Sequence, residues 1–142
     1  MSDSKAVQQV PPGSGSPALL RDAGLVGLGG ALGSVARYLA GLALPMDANA
    51  ATFAINVAGS LVLGLIVVGF AGRRPRLQLA LGTGFCGGFT TFSALAVGVA
   101  EFAGAGSVVS ALVLALGTVA CAGAATLVGV WIGRRLSAGG AL

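Results

Sequence analysis

The stretch Gly82–Ser93, GTGFCGGFTTFS, decides how this chain folds. It lies inside an otherwise apolar segment, from about Leu77 to Phe102, that is long enough to cross a membrane. Four glycines in seven residues weaken a regular helix, since each costs about 1 kcal/mol relative to alanine. Three hydroxyl side chains follow within the next residues. Because hydrocarbon tolerates irregular backbone only inside protein or beside a polar cavity, we expect a span broken near mid-membrane, the usual place for an ion or substrate site.

The composition predicts an integral membrane protein. The 142 residues are 56% hydrophobic and 8% charged, whereas a soluble domain has about 25% charged residues. A transmembrane helix needs about 20 apolar residues, so four spans fit after the polar N-terminal segment. The predicted fold class is an all-α membrane bundle of four transmembrane helices with the third helix broken. So small a bundle has little interior of its own, and we expect it to oligomerise.

The chain divides into a tail and a membrane unit. Residues 1–20 are predicted to be a disordered tail, because the segment is polar and rich in Ser, Pro and Gly. Residues 21–142 are predicted to form the four-helix transmembrane subunit. The predicted spans are about 24–44, 52–70, 77–102 and 108–132.

The charged residues lie at the edges of the spans, with one exception, and predict the orientation. Four spans put both termini on one side, which carries seven basic residues against none on the other. Cytoplasmic loops are enriched in Lys and Arg, so both termini are predicted to be cytoplasmic in a multi-pass protein of the plasma (inner) membrane. The basic charge is a topology signal and does not indicate nucleic-acid binding. The seven residues are Lys5, Arg21, Arg73, Arg74, Arg76, Arg134 and Arg135.

The sequence argues against an enzyme. It has no histidine, no pair of carboxylates within a span and no metal-ligand cluster. A proton-coupled multidrug transporter of similar size needs a titratable carboxylate in a span, whereas Asp22, Asp47 and Glu101 all lie at span edges. Cys86 and Cys121 fall inside spans, and we interpret them as small buried hydrophobes rather than as a disulfide.

Two polar side chains inside the spans are candidate functional residues. Arg37 shares a helix face with Gly29 and Gly33, a small-residue pattern that lets helices pack closely. It is equally consistent with a tie between helices and with a vestibule cation that concentrates anions. Asn56 lies well inside the second span, where it either forms an interhelical hydrogen bond or offers its N–H groups to an ion.

The sequence resembles the CrcB/Fluc fluoride channel family. The motifs that carry the resemblance are GGALGSVARYLA at Gly29–Ala40, ATFAINVAGSLVLG at Ala51–Gly64 and GTGFCGGFTTFSAL at Gly82–Leu95. The resemblance covers nearly all of the chain after the tail, and the third motif is specific. The resemblance implies an antiparallel dimer of four-helix subunits, with two fluoride pathways along the subunit interface and a structural sodium ion at its centre. The implied function is passive export of fluoride from the cytoplasm.

The resemblance also implies roles for individual residues. Gly87 and Thr90 match the positions whose backbone carbonyls hold the sodium ion (Na⁺). A small anion can exchange its water for amide and hydroxyl donors and for the positive edge of a phenyl ring. The positions matched to the fluoride pathway, or hydroxyl-bearing beside it, are Asn56, Thr91, Phe92, Ser93 and Thr118.

The sequence departs from the family pattern along the fluoride pathway. Leu95 stands three residues after Phe92, where a second phenylalanine is usual, and leucine has no positive ring edge to offer. Leu114 and Ala122 stand at polar positions of the fourth-helix track. Because one subunit contributes to different parts of both pathways, we expect these changes to impair one of them.

The charge distribution bears on the partner. An antiparallel homodimer needs one sequence that inserts in both orientations, whereas the bias of this chain predicts one orientation. The partner is therefore the chain itself or, favoured by the bias, an oppositely oriented homologue, with lipid around both. The alternatives for function are a non-catalytic packing subunit of a heterodimeric channel and, least favoured, the multidrug transporter.

Overall fold

The structure is a computed structural model that describes residues 17–138. We label its helices α1 (Pro17–Ala43), α2 (Ala48–Gly69), α3 (residues 75–89), α4 (Phe92–Gly104) and α5 (Val108–Ala138). The predicted all-α class is confirmed, since four segments are long and apolar enough to span a membrane, with α3 and α4 together forming the third. The predicted tail lies outside the described residues except for positions 17–20, which are the first turn of α1.

Helix α3 changes its winding along its length. It begins as an α-helix at Pro75–Gln78, continues as a π-helix at Leu79–Cys86 and ends as an α-helical turn at Gly87–Phe89. A π-helix bonds residue i to residue i+5, and such segments are frequent at functional sites. The backbone then becomes extended at Thr90 and Thr91. The break predicted from the glycines therefore occurs, but it falls on the two threonines while the glycines themselves stay helical.

Glycines on both α1 and α3 allow these two helices to pack closely. A Cβ atom on Gly88 would collide with the Gly30 carbonyl, and one on Gly29 would collide with the Ala80 carbonyl. A Cβ atom on Gly33 would likewise collide with the Phe85 carbonyl. The face predicted from the spacing of Gly29 and Gly33 is thus the surface on which α1 packs against α3.

The remaining three helices pack together beside the α1–α3 pair. Helix α2 packs along α5, and α4 lies against α5. Asp47 caps α2 by accepting hydrogen bonds from the amides of Asn49 and Ala50 at 3.0 and 3.1 Å, which satisfies two donors of the first turn. The turns that follow α2 and α4 use Gly72 and Gly106 at φ 69° and 77°, a backbone region that disfavours other residues.

Most of the apolar surface faces outward. In the most apolar window of each span, at most 28% of the residues are buried within the described chain. Trp131 is exposed near the end of α5, with the Arg135 guanidinium 5.4 Å from its ring centre, as is typical of the membrane–water interface. The protein is therefore a multi-pass membrane protein whose outer surface needs lipid or another subunit to cover it.

Candidate functional site

The site is built around the extended backbone between α3 and α4. Thr90 has φ −77° and ψ 157°, and Thr91 has φ −145° and ψ 116°. The Thr91 hydroxyl accepts a hydrogen bond from the Ala94 amide at 3.2 Å and so caps the start of α4. The chain thus leaves one helix and enters the next within two residues, in the middle of a span.

Asn56 holds the break from the facing helix α2. Its Oδ1 accepts a hydrogen bond from the Thr91 amide at 2.7 Å, and its Nδ2 donates to the Thr91 carbonyl at 3.1 Å. Asn56 is 7% exposed. The interhelical hydrogen bond considered for this residue is therefore present twice, and one N–H of its amide is committed to the backbone while the carboxamide has a second to offer.

Arg37 and Ser34 hold the break from the opposite side. Arg37 Nε donates to the Gly88 carbonyl at 3.2 Å, and Ser34 Oγ donates to the same oxygen at 3.4 Å. Of the two roles considered for Arg37, this geometry is that of a tie between α1 and α3. A vestibule role for its charge stays a prediction.

A cavity of about 520 Å³ lies beside the break, between α2, α3, α4 and α5. No charged side chain of residues 17–138 lines it. Leu95 and Phe92 are both on its wall, at 6% and 79% exposure, so the phenyl ring stands free where the leucine is packed away. The polar residues that line the cavity are Asn56, Ser60, Gln78, Thr83, Thr90, Thr91 and Thr118.

The predicted site residues do not all present a proton to this cavity. Thr118 is 2% exposed, and its hydroxyl donates to the Leu114 carbonyl in its own helix at 2.6 Å. The hydroxyl proton is therefore committed within the helix, and the hydroxyl must rotate before it can donate to an anion. Ser93 is exposed beside the cavity and pairs with the Thr91 hydroxyl at 3.2 Å. One of the two hydroxyl protons makes this hydrogen bond, which leaves the other proton available.

Gln78 and Thr83 were missed by the sequence analysis. They are five residues apart, a spacing that places side chains far apart around a regular α-helix. The π-helix at Leu79–Cys86 brings positions five apart toward the same face, so both reach the cavity wall. The sequence feature that could have indicated these two residues is their polar character at the start of a span and inside it.

A broken span held by hydrogen bonds from two other helices, with some polar side chains on the wall of the cavity beside it, is typical of membrane transport proteins. Such discontinuous helices form the ion and substrate sites of many membrane transport proteins. The sequence model of the family described as "CrcB-like protein, Camphor Resistance (CrcB)" matches residues 24–130. The chain belongs to this family.

Curated relatives are similar over different shares of the chain. A protein of Hyphomonas neptunium is 38% identical over 122 residues, which are 80% of this chain and 96% of the relative. Relatives from Gloeobacter violaceus (46% identical over 86 residues) and Chlorobaculum tepidum (51% identical over 75 residues) match 56% and 49% of this chain. The match spans 69% and 60% of their own lengths. Each of the three is named "Fluoride-specific ion channel FluC".

Proposed function

We propose that this chain is a subunit of a fluoride-selective ion channel that lowers cytoplasmic fluoride by passive export. The observation that carries the proposal is the cavity at a broken span, with uncharged polar side chains on part of its wall, in a chain of the CrcB family. The cavity offers neutral donors and no fixed charge among the described residues. Conduction needs sites that bind strongly enough to replace water yet weakly enough to release the ion, and neutral donors meet that requirement.

The proposed donors come from the break and from the cavity wall. The free N–H of Asn56 and the spare proton of the Thr91–Ser93 pair lie at the break. The edge of the exposed Phe92 ring carries partial positive charge and continues the set. Thr118 joins it when its hydroxyl turns away from Leu114. We assign the chain no catalytic step, because the ion passes through these contacts unchanged.

A structural Na⁺ at the break is part of the proposal. Its expected ligands are the backbone carbonyls of Gly87 and Thr90. In a regular helix these oxygens accept from the amides of Thr91 and Ala94, whereas here both amides bond to side chains. The residues present therefore fit a hard cation that prefers oxygen ligands. When bound, the ion supplies a fixed positive charge at the break.

The proposed channel is a dimer in the plasma (inner) membrane, with both termini of this chain in the cytoplasm. A partner of opposite orientation would complete each cavity at the subunit interface. The charge bias favours an oppositely oriented homologue as this partner over a second copy. In that arrangement the partner supplies the aromatic edge that Leu95 does not provide.

A second candidate function is a packing subunit that supports the pathways of its partner without conducting by itself. Two points favour it over a fully conducting subunit. Leu95 lies on the cavity wall at the position where the family resemblance implies a second phenylalanine, and the Thr118 proton is committed to its own helix. The multidrug transporter is disfavoured, because Asp22, Asp47 and Glu101 lie outside the lining of the cavity.

The test is a fluoride-electrode efflux assay in liposomes. The purified chain is measured alone and together with a homologue from the same genome whose basic residues predict the opposite membrane orientation. Each preparation is assayed with and without Na⁺ and with chloride as competitor. We expect fluoride efflux from the pair, unaffected by chloride, and little from the lone chain. Robust flux from the lone chain would contradict obligate pairing, and no flux from either preparation would overturn the channel proposal.

A further inference from the structure

Two backbone amides at the break bond to side chains where a continuous helix would use carbonyls. The Thr91 amide donates to Asn56 Oδ1 at 2.7 Å, whereas its regular helical acceptor is the Gly87 carbonyl. The Ala94 amide donates to Thr91 Oγ1 at 3.2 Å, whereas its regular acceptor is the Thr90 carbonyl. Each side-chain acceptor thus substitutes for one specific carbonyl.

Other carbonyls at the end of α3 receive replacement donors. The Cys86 carbonyl accepts from both the amide and the hydroxyl of Thr90, each at 2.9 Å. The Gly88 carbonyl accepts from Arg37 and Ser34 on α1. At an ordinary helix end, the last carbonyls accept hydrogen bonds from side chains, from water or from amides in a tightened last turn. The carbonyls of Cys86 and Gly88 are thus satisfied. The helical donors of the Gly87 and Thr90 carbonyls bond instead to Asn56 and Thr91.

We propose that Asn56 Oδ1 and Thr91 Oγ1 are positioning groups that keep the Gly87 and Thr90 carbonyls free for a cation. The inference rests on the Na⁺ site of the proposed function and adds its cause within this chain. Without the side-chain acceptors, the amides of Thr91 and Ala94 return to those carbonyls and the cation loses its ligands. Cation affinity then depends on the acceptor oxygens of these residues, and not on their capacity to donate to an anion.

The Thr91 arm of the test uses thermal unfolding in detergent at increasing Na⁺, with N-methylglucamine keeping the ionic strength constant. The protein is the full chain, purified with its partner if the efflux assay requires one. A bound ion stabilises the native state in proportion to ln(1 + [Na⁺]/Kd), so the midpoint temperature reports affinity without any flux. Thr91→Val keeps the shape but removes the acceptor, whereas Thr91→Ser retains it. We expect Thr91→Val to require at least about tenfold more Na⁺ for the same stabilisation, and Thr91→Ser to behave as the parent.

The Asn56 arm separates the acceptor from the donor. Asn56→Asp keeps an oxygen for the Thr91 amide and loses the N–H groups, whereas Asn56→Leu loses both. We expect Asn56→Asp to keep or strengthen the response to Na⁺, because its negative charge attracts a cation, while its fluoride flux falls because the same charge repels the anion. We expect Asn56→Leu to lose the response. Thr126→Val is the matched control, since its hydroxyl donates to the Ala122 carbonyl within α5 at 3.0 Å and the residue does not line the cavity.

The outcomes distinguish this inference from the channel proposal. A normal Na⁺ response in Thr91→Val and Asn56→Leu would overturn the inference even if the parent conducts fluoride. A parent protein whose stability is indifferent to Na⁺ would overturn it as well. If Thr91→Val does not fold, the two Asn56 variants still decide between acceptor and donor. Loss of fluoride flux alone, with the Na⁺ response intact, would bear on the fluoride pathway and not on the positioning groups.

Discussion

The polar side chains at the break differ in whether their protons are already used in hydrogen bonds within the protein. The hydroxyls of Thr90 and Thr118 each donate to the carbonyl four residues earlier in the chain, so neither proton is free for a ligand. One amide proton of Asn56 is committed to Thr91. The ring of Phe92 is free on the cavity wall. An anion entering the cavity therefore meets fewer ready donors than a count of polar residues indicates, which increases the importance of the aromatic ring.

Replacing Phe92 by isoleucine removes the ring edge with little effect on folding, because the side chain is 79% exposed. We expect fluoride efflux to fall about tenfold, which corresponds to about 1.4 kcal/mol. The measurement is electrode-detected efflux from liposomes with matched protein content. Phe102→Ile, on the same helix but outside the cavity lining, is the control and should conduct normally. Equal flux in the two variants would exclude the aromatic contribution.

Replacing Arg37 by lysine separates its two candidate roles. Lysine keeps the positive charge but lacks the Nε–H that donates to the Gly88 carbonyl. A hydrogen bond from a charged group contributes about 1.5–3 kcal/mol, so we expect a lower unfolding temperature. The measurement is thermal unfolding in detergent, with the exposed Arg134→Lys as control. An unchanged unfolding temperature together with normal flux would instead support a vestibule cation.

At the scale of helices, glycine determines which elements cross and how closely. The α1–α3 contact and the α2–α5 contact both bring glycine against backbone, as with Gly64 and Gly129. These crossings place Asn56 on one side of the break and Arg37 on the other. The position of the site therefore depends on helix packing at residues that do not line the cavity.

Adding one methyl group to such a crossing tests its rigidity. Gly29→Ala would place a Cβ atom against the Ala80 carbonyl, and backbone cannot rotate away as a side chain can. Overpacking costs about 1–3 kcal/mol, so we expect a lower unfolding temperature and less monodisperse protein by size-exclusion chromatography. Gly24→Ala is the matched control on the same helix, with nothing within 4 Å of its Cβ position. A relaxed crossing would give equal behaviour for both variants.

At the scale of the whole molecule, the dominant feature is a thin bundle with charge at one end. Asp22 and Arg76, 3.8 Å apart, join α1 to α3 at the basic end. The loop between α1 and α2, by contrast, carries Asp47. This asymmetry predicts a single orientation in the membrane and therefore a partner of different sequence.

The orientation can be measured by cysteine labelling in intact spheroplasts. Cys86 and Cys121 are first replaced by alanine, and Met46→Cys and Ala138→Cys are then made separately, so that no charge changes. We expect a membrane-impermeant maleimide to label the cysteine at position 46 and to spare the one at 138. Detergent-lysed cells provide the control for full reactivity. Labelling of both positions to similar extents would indicate that the chain inserts in both orientations, and would support a homodimer over a heterodimer.

The number of spans and the presence of an interruption in the third were predictable from the sequence, because local hydropathy and glycine content decide them. The preferred orientation is a prediction of the same kind, since it follows from charges at span ends. The packing face on α1 was also accessible, since the spacing of Gly29 and Gly33 repeats with the helix.

What the tertiary structure decided is where the chain breaks and which groups hold it. The glycines that mark the interruption remain helical, and the extended residues are Thr90 and Thr91. The reason is that Asn56 from α2 takes the Thr91 amide and Arg37 from α1 takes the Gly88 carbonyl, contacts that no local pattern encodes. The grouping of Gln78 with Thr83 depends likewise on π-helical winding. Local sequence set the spans and the weak point, and the crossing of distant helices determined how that weak point became a site.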